Sequence, residues 1–389
     1  MNIYTETLLN RPLNKSTQRI FVAATRMNEG KTTTCLGLFE ALRALYSRVG
    51  FIKPVGQRVM EVHGHKIDED SFLLDSVFDV RVPIEAMSPI AVDSHFTREY
   101  LDNPTGIRPL LVDRICKAFD RSAYEKDITI IEGTGHAGVG AVFDLSNAAV
   151  AQILEAKVIL VSEGGIGRPV DEVAMNKALF DQYGVEVLGV ILNKVLPDKM
   201  AMVKEYAEKG LRRIGVKLLG AIPLQKELGF PSLGQIVAEI DGRWLNARES
   251  GGHERIKNVV IGAMTARTIV DILARGRLII VPGDREDIIF SVVANAGISG
   301  DSPISGIILT SDMMPNTKMM QMVERTNIPF VLCKEDSYTI ASKIHSMTVK
   351  TQPWDNDKIP LIKRLILDNI DIRAIFEAFQ RESLLGQFL

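Results

Sequence analysis

The chain has 389 residues, 46% hydrophobic and 24% charged, enough for two domains that each bury a full core. A formal net charge of -2 argues against a general nucleic-acid surface or an acidic tail, and no apolar run reaches the ~20 residues of a membrane span. Cys35, Cys116 and Cys333 are too few and too scattered for a disulfide framework or a zinc site. The start Met1-Asn-Ile-Tyr-Thr-Glu lacks the basic and apolar stretches of a signal peptide, so a cytoplasmic protein is expected.

In chain order, apolar runs predict strands at Arg19–Ala24, Val49–Pro54, Ile128–Glu132, Lys157–Glu163, Val187–Asn193 and Leu218–Pro223. Helical spacing lies between most of them, as in Lys31–Ser47 and Val170–Tyr183, while Met60–Tyr124 is less regular. Strands buried on both faces and alternating with helices predict an α/β fold with a parallel sheet. The pattern breaks around Gln225–Ser232, and a second, smaller α/β alternation follows. It predicts strands at Val259–Ala263, Leu278–Val281, Ile304–Thr310 and Phe330–Cys333, and helices at Thr265–Ala274, Asp284–Ala296, Asn316–Thr326 and Tyr338–Ser346. The tail Asp357–Phe388 reads as one or two helices with Ile359, Leu361, Ile362 and Leu365 on one face. The expected domains are residues 1–225, 226–347 and a helical tail over 348–389.

The first strand runs into Thr25-Arg-Met-Asn28-Glu29-Gly30-Lys31-Thr32-Thr33 and then a helix. Strand, loop and helix start together form a phosphate-binding loop, in which backbone N–H groups and the helix dipole attract phosphate. Lys31 reaches the terminal phosphates and the Thr32 hydroxyl suits Mg²⁺. The match is imperfect, because Thr25 stands where the usual pattern has glycine. Acids at strand ends come next. Glu132 closes an apolar strand and opens the glycine-rich stretch Gly133–Gly140, where ligands of parallel sheets bind. A carboxylate there holds Mg²⁺ or caps a turn. Lys53 stands at a strand end and neutralises phosphate or a substrate carboxylate, unless it is simply solvated before Pro54. Asp68 and Asp70 open a helix, where acids complete a metal site or merely answer the dipole. Asn193 ends a strand and suits a nucleotide base or a cap. His63 and His65 are read as a solvated loop, and His136 and Arg168 stand in flexible loops without a fixed role. Asp284 and Arg285 open a helix, where the acid caps and the arginine is free to reach an anion or a neighbouring chain.

These residues, in this order, resemble the dethiobiotin synthetase-like branch of phosphate-loop nucleotide enzymes. The likeness rests on Ala24-x5-Gly30-Lys31-Thr32, Lys53-Pro54-Val55, Asp70, Glu132-Gly-Thr-Gly135, Asn193 and Leu219–Pro223, within about residues 17–225. It is nearest to the N-terminal region of long bacterial phosphotransacetylases, where a DRTGG domain follows. Val259–Thr265, Ile279–Ile288 and Ser305–Thr310 match that second domain, although the five-letter string itself does not occur. The resemblance implies ATP and Mg²⁺ as cofactors. It implies nucleotide contacts from Asn28, Glu29, Gly30, Lys31, Thr32, Thr33 and Asn193, a metal held by Thr32, Asp70 and Glu132, and catalytic work for Lys31 and Lys53. It implies a homodimer, with the DRTGG-like half regulatory or dimer-forming. The expected function is a nucleotide-responsive regulatory protein. The alternative is an ATP-dependent ligase, of the dethiobiotin synthetase or cobyrinic acid a,c-diamide synthase type, acting on a small acidic metabolite. Ala24 departs from the synthetase glycine and Gly133–Gly140 departs from the diaminopelargonate-binding region, so biotin synthesis is not expected. Acetyl transfer is not expected either, since no phosphotransacetylase catalytic domain fits after the second unit.

Overall fold

A computed structural model describes residues 11–299 and 302–385. The residues fall into two compact units, the first running to Leu224 and resuming at Thr351, the second spanning Gln225–Lys350.

The first unit is built on a six-stranded sheet of β1 (Gln18–Ala24), β2 (Val49–Ile52), β3 (Ile128–Glu132), β4 (Lys157–Glu163), β5 (Val187–Val195) and β6 (Leu218–Pro223). Their order is β6-β5-β4-β1-β3-β2, and every pairing is parallel. The central strands are sealed on both faces: from Ile20 to Ala24 β1 is buried, as is all of β3. That is why these runs are continuously apolar rather than alternating. The covering helices include α1 (Lys31–Arg43), α2 (Glu69–Phe78), α3 (Pro104–Ser122), α4 (Gly167–Gln182) and α5 (Met200–Arg213). β1 sits between β3 and β4: its own connection leads to β2 on one side, and the connection from β3 crosses to β4 on the other, the topology that places a crevice at the carboxyl end of β1. The irregular region resolves into a hairpin, Val59–Val62 with His65–Asp68, then α2 and the long α3. His63 and Gly64 take positive φ at the hairpin turn, so the two histidines mark a β-turn. Among the described residues no group of three or more His, Cys, Asp or Glu is arranged to hold a metal by itself.

The second unit carries a five-stranded sheet of β7 (Arg243–Trp244), β8 (Asn258–Ile261), β9 (Arg277–Pro282), β10 (Gly306–Thr310) and β11 (Phe330–Leu332). The order is β7-β11-β10-β9-β8, parallel except for the antiparallel edge strand β7. α6 (Leu233–Glu239), α7 (Glu286–Ser299), α8 (Thr317–Glu324) and α9 (Ser337–Ser346) cover it. Ile279, Val281, Ile307 and Leu309 line one core, and Leu278, Ile280, Ile308 and Val331 the other, as period-2 strands require. Ser232 starts α6 with a complete capping box through Gln235.

The chain then re-enters the first unit as α10 (Lys358–Asn369) and α11 (Ile372–Leu385). α10 lies tightly on α1: a Cβ at Gly37 would fall 2.0 Å from Ile366 Cγ1. Ile359, Ile362, Leu365 and Ile366 are buried. The Asp371 N–H donates to Leu219 O at 2.8 Å, which caps the outer edge of β6. No helix among the described residues is long and apolar enough to cross a membrane.

Candidate functional site

The loop after β1 is held from both sides. Ala24 N donates to Gly135 O at 3.2 Å, and Thr25 N to Val161 O at 2.8 Å. The Thr25 hydroxyl lies 3.0 Å from Ser162 Oγ and 3.2 Å from the buried Glu172 carboxylate. Threonine in place of the usual glycine thus ties the loop to β4 and α4. Asn28 and Gly30 take positive φ, 62° and 95°. Gly30 has a second reason to be glycine, because a Cβ there would sit 2.1 Å from Asn193 Nδ2. Lys31, Thr32 and Thr33 are the first three residues of α1, and Thr34 N already donates to Gly30 O at 2.9 Å. The N–H groups at this helix start have no partner within the helix, which makes an anion-binding end.

Asn193, at the end of β5, supports the loop from below. Its Nδ2 donates to Glu29 O at 2.8 Å and its Oδ1 accepts from Lys194 N at 2.9 Å. Lys194 Nζ in turn donates to Asn28 O at 2.7 Å. Glu29 is buried, and burial together with the nearby Glu163 pushes its carboxyl above the ordinary range.

Next to the loop lies a buried charged cluster. Thr32 Oγ1 donates to Glu132 Oε1 at 2.8 Å. The Lys53 ammonium lies 3.0 Å from Asp68 Oδ1 and 3.8 Å from Glu132 Oε1, and it pairs with Asp70. Lys53 is 6% exposed, Asp68 0%, Asp70 3% and Glu132 1%, so the lysine is a buried partner of acids and not a solvated side chain. Asp68 caps α2, accepting from Asp70 N at 3.0 Å, so the acids at this helix start both cap it and face the lysine. Burial would lower the Lys53 ammonium, but Asp70, Glu132 and Asp68 hold it above its usual range. Burial lowers Lys31, with Glu132 opposing. Burial and the Asp70 charge raise Glu132, against Lys53, Lys31 and Thr32. Cys35 is buried beside the same carboxylate, which raises its thiol further and makes it inert.

Glu132 Oε2 is buried without a hydrogen-bond partner among the described residues. An orphaned carboxylate oxygen beside a threonine hydroxyl fits a hard divalent cation that takes its remaining oxygens from phosphate and water.

Other predicted residues stand apart. His136 is exposed, and its Nδ1 accepts from Gly138 N at 3.2 Å. Arg168 pairs with Glu163 and lies 3.5 Å from Glu172. In the second unit Arg285 is turned onto its own fold, donating to Gly262 O at 3.1 Å and Met264 O at 2.8 Å. Sequence reasoning missed Asn147 and Asn176. Asn147 clamps the glycine-rich loop through Thr134 N at 3.0 Å and Thr134 O at 2.8 Å, and Asn176 accepts from Ala137 N at 2.8 Å. The only signal for Asn147 was the helix cap Ser146 beside it.

An AAA domain family model matches residues 18–232, more than half of the chain. The chain belongs to this AAA domain family. A DRTGG domain model matches residues 235–347. The phosphate acetyltransferase of Pseudomonas putida is 29% identical over 371 residues, covering 91% of this chain and 51% of that protein. That of Nitrosomonas europaea is 26% identical over 364 residues, covering 90% and 50%. The chain spans about half the length of the curated relatives it matches. Among solved structures, the CBS and DRTGG domains of the regulatory region of Clostridium perfringens pyrophosphatase, complexed with the activator diadenosine tetraphosphate, align at 22% identity and TM-score 0.26. That alignment covers 36% of this chain and 60% of that one.

Proposed function

We propose that the first unit binds ATP with Mg²⁺ and that the protein is a nucleotide-responsive regulator of the phosphotransacetylase N-terminal type. The observation that carries this reading is the Thr32–Glu132 contact at the start of α1, with the second Glu132 oxygen unpartnered. The loop N–H groups and Lys31 would hold phosphate oxygens, and Thr32, Glu132 and Asp70 would hold the metal. Mg²⁺ would neutralise phosphate charge, the main demand of phosphoryl chemistry. Asn193 and Lys194 keep the loop in its binding shape through Glu29 O and Asn28 O, and a base contact from Asn193 would add to that role.

The regulatory reading is favoured over an ATP-dependent ligase by Lys53. Its charge is matched by Asp68 and Asp70, which leaves little for a substrate acid. The proposal includes a cytoplasmic homodimer, the commonest closed assembly among soluble homo-oligomers. Multiple-turnover phosphate release separates the two readings. The regulator should bind Mg–ATP yet release phosphate far below the ~10 per second of a typical enzyme. Fast release that requires a small carboxylate co-substrate would replace this reading with the ligase.

A further inference from the structure

A groove in the second unit has no part in nucleotide binding. It encloses about 800 Å³ and is lined by Phe230, Pro231, Val259, Ile261, Tyr338 and His345 among others. That volume is within the range of ligand pockets. One wall is β8, the outermost strand of the sheet, and the facing wall is α9. Phe230 and Pro231 stand at the start of β8, where Ile256 N donates to Pro231 O at 2.9 Å.

The backbone of β8 decides what the groove suits. Asn258 N donates to Gly276 O at 3.1 Å and Gly262 N to Ile280 O at 2.8 Å, both toward β9. Strand alternation therefore turns the amides of Val259 and Ile261 the other way, toward the open edge. No strand pairs with that edge among the described residues. Natural edges are usually blunted by charge, proline or a bulge. Asn258-Val-Val-Ile261 contains none of the three. Val259 and Ile261 are two residues apart on one face, and Ile261 remains 40% exposed, as does 77% of Tyr338. Lys257 and His345 line the groove and no Asp or Glu does so among the described residues.

We propose that this groove binds an extended acidic peptide segment of a partner protein, which adds as a sixth strand along β8. Main-chain bonds to the Val259 and Ile261 positions supply register, alternate apolar side chains fill the space toward Tyr338 and α9, and a carboxylate meets Lys257. Four residues of β8 span about 13 Å, so the recognised core is short. Charge selects a partner over a second copy of this chain, since the Lys257–Ile261 stretch of a second copy carries no carboxylate to meet Lys257.

The test uses the full chain and a phage-displayed library of random eight-residue peptides. Enriched sequences should alternate apolar residues and carry Asp or Glu, and a synthetic version should bind in fluorescence anisotropy. N-methylation of the amides facing β8 should weaken binding at least tenfold, while methylation of the intervening amides should not. Val259→Pro, tolerated at an open edge because its N–H faces outward, and Lys257→Glu should each weaken binding to a similar degree. Lack of enrichment would overturn the proposal, as would binding indifferent to the methylation pattern or to both variants. A dimer that dissociates on Val259→Pro would also overturn it, by showing that a second copy fills the edge. The N-methyl series changes only the peptide, so its outcome does not depend on how any variant folds.

Discussion

Replacing Lys53 by methionine tests the buried charge cluster. At an effective dielectric of 20, a unit pair at the 3.0 Å Lys53–Asp68 distance attracts by about 5.5 kcal/mol. At the 3.8 Å Lys53–Glu132 distance the figure is about 4.4 kcal/mol. Desolvation offsets most of this attraction, so the pairs add little net stability. Removing the lysine alone is different, because Asp68, Asp70 and Glu132 then remain buried without their cation. Such a loss costs about 3–5 kcal/mol. The chain has two tryptophans, Trp244 in the second unit and Trp354 in the first. In a Trp244→Phe background, Trp354 fluorescence during urea unfolding follows the first unit. Lys53→Met should lower stability by that amount, and adding Asp70→Asn should restore part of it. A cost below about 1 kcal/mol, the level of an exposed pair, would refute the buried-cluster reasoning.

Further outcomes follow from the same geometry. Gly30→Ala forces a left-handed alanine, about 1–2 kcal/mol, and pushes out Asn193 with its hydrogen bond, about 1 kcal/mol more; a melting temperature equal to the parent's would contradict the 2.1 Å approach. Ile362→Ala, fully buried on α10, should cost about 2–5 kcal/mol in the Trp354-reported transition; a loss confined to local fraying, with the main transition unmoved, would show that the C-terminal helices are dispensable to the first core. Glu132→Gln should fold normally and lose the Mg²⁺ dependence of nucleotide binding in a titration with and without the metal; retained dependence would reduce the carboxylate to a cap. Light scattering at micromolar concentration should give the mass of two chains, and a single-chain mass would remove the homodimer.

The parallel α/β architecture and the phosphate loop were legible because both depend on local pattern. Apolar runs such as Ile128–Glu132 and Lys157–Glu163 are bounded as the sequence predicts, since their burial on both faces leaves no alternation to blur the ends. Helix ends were less legible. α1 stops at Arg43 rather than Ser47, where turn bonds from Leu45 and Tyr46 to Leu42 O wind the chain off. The hairpin at Val59–Asp68 escaped notice because its strands are only four residues long and half exposed, and β7 because two residues carry no period. At the site, Lys31, Thr32 and Glu132 lie in motifs of fixed spacing. The pairing of Lys53 with Asp68 and Asp70, and the clamps from Asn147 and Asn176, arise only when distant segments meet. Spacing along the chain carries no trace of them.

Mg–ATP binding at the loop stands or falls on titration calorimetry of the full chain with ATP, with and without Mg²⁺. One saturable site per chain is expected, which needs Mg²⁺ and is lost in Lys31→Ala. At a hundredfold excess over the dissociation constant, the ligand should stabilise the first unit by about 2.7 kcal/mol, or about 5–10 °C in melting temperature. No heat of binding in the parent protein, or equal binding by Lys31→Ala, would contradict nucleotide binding at this loop.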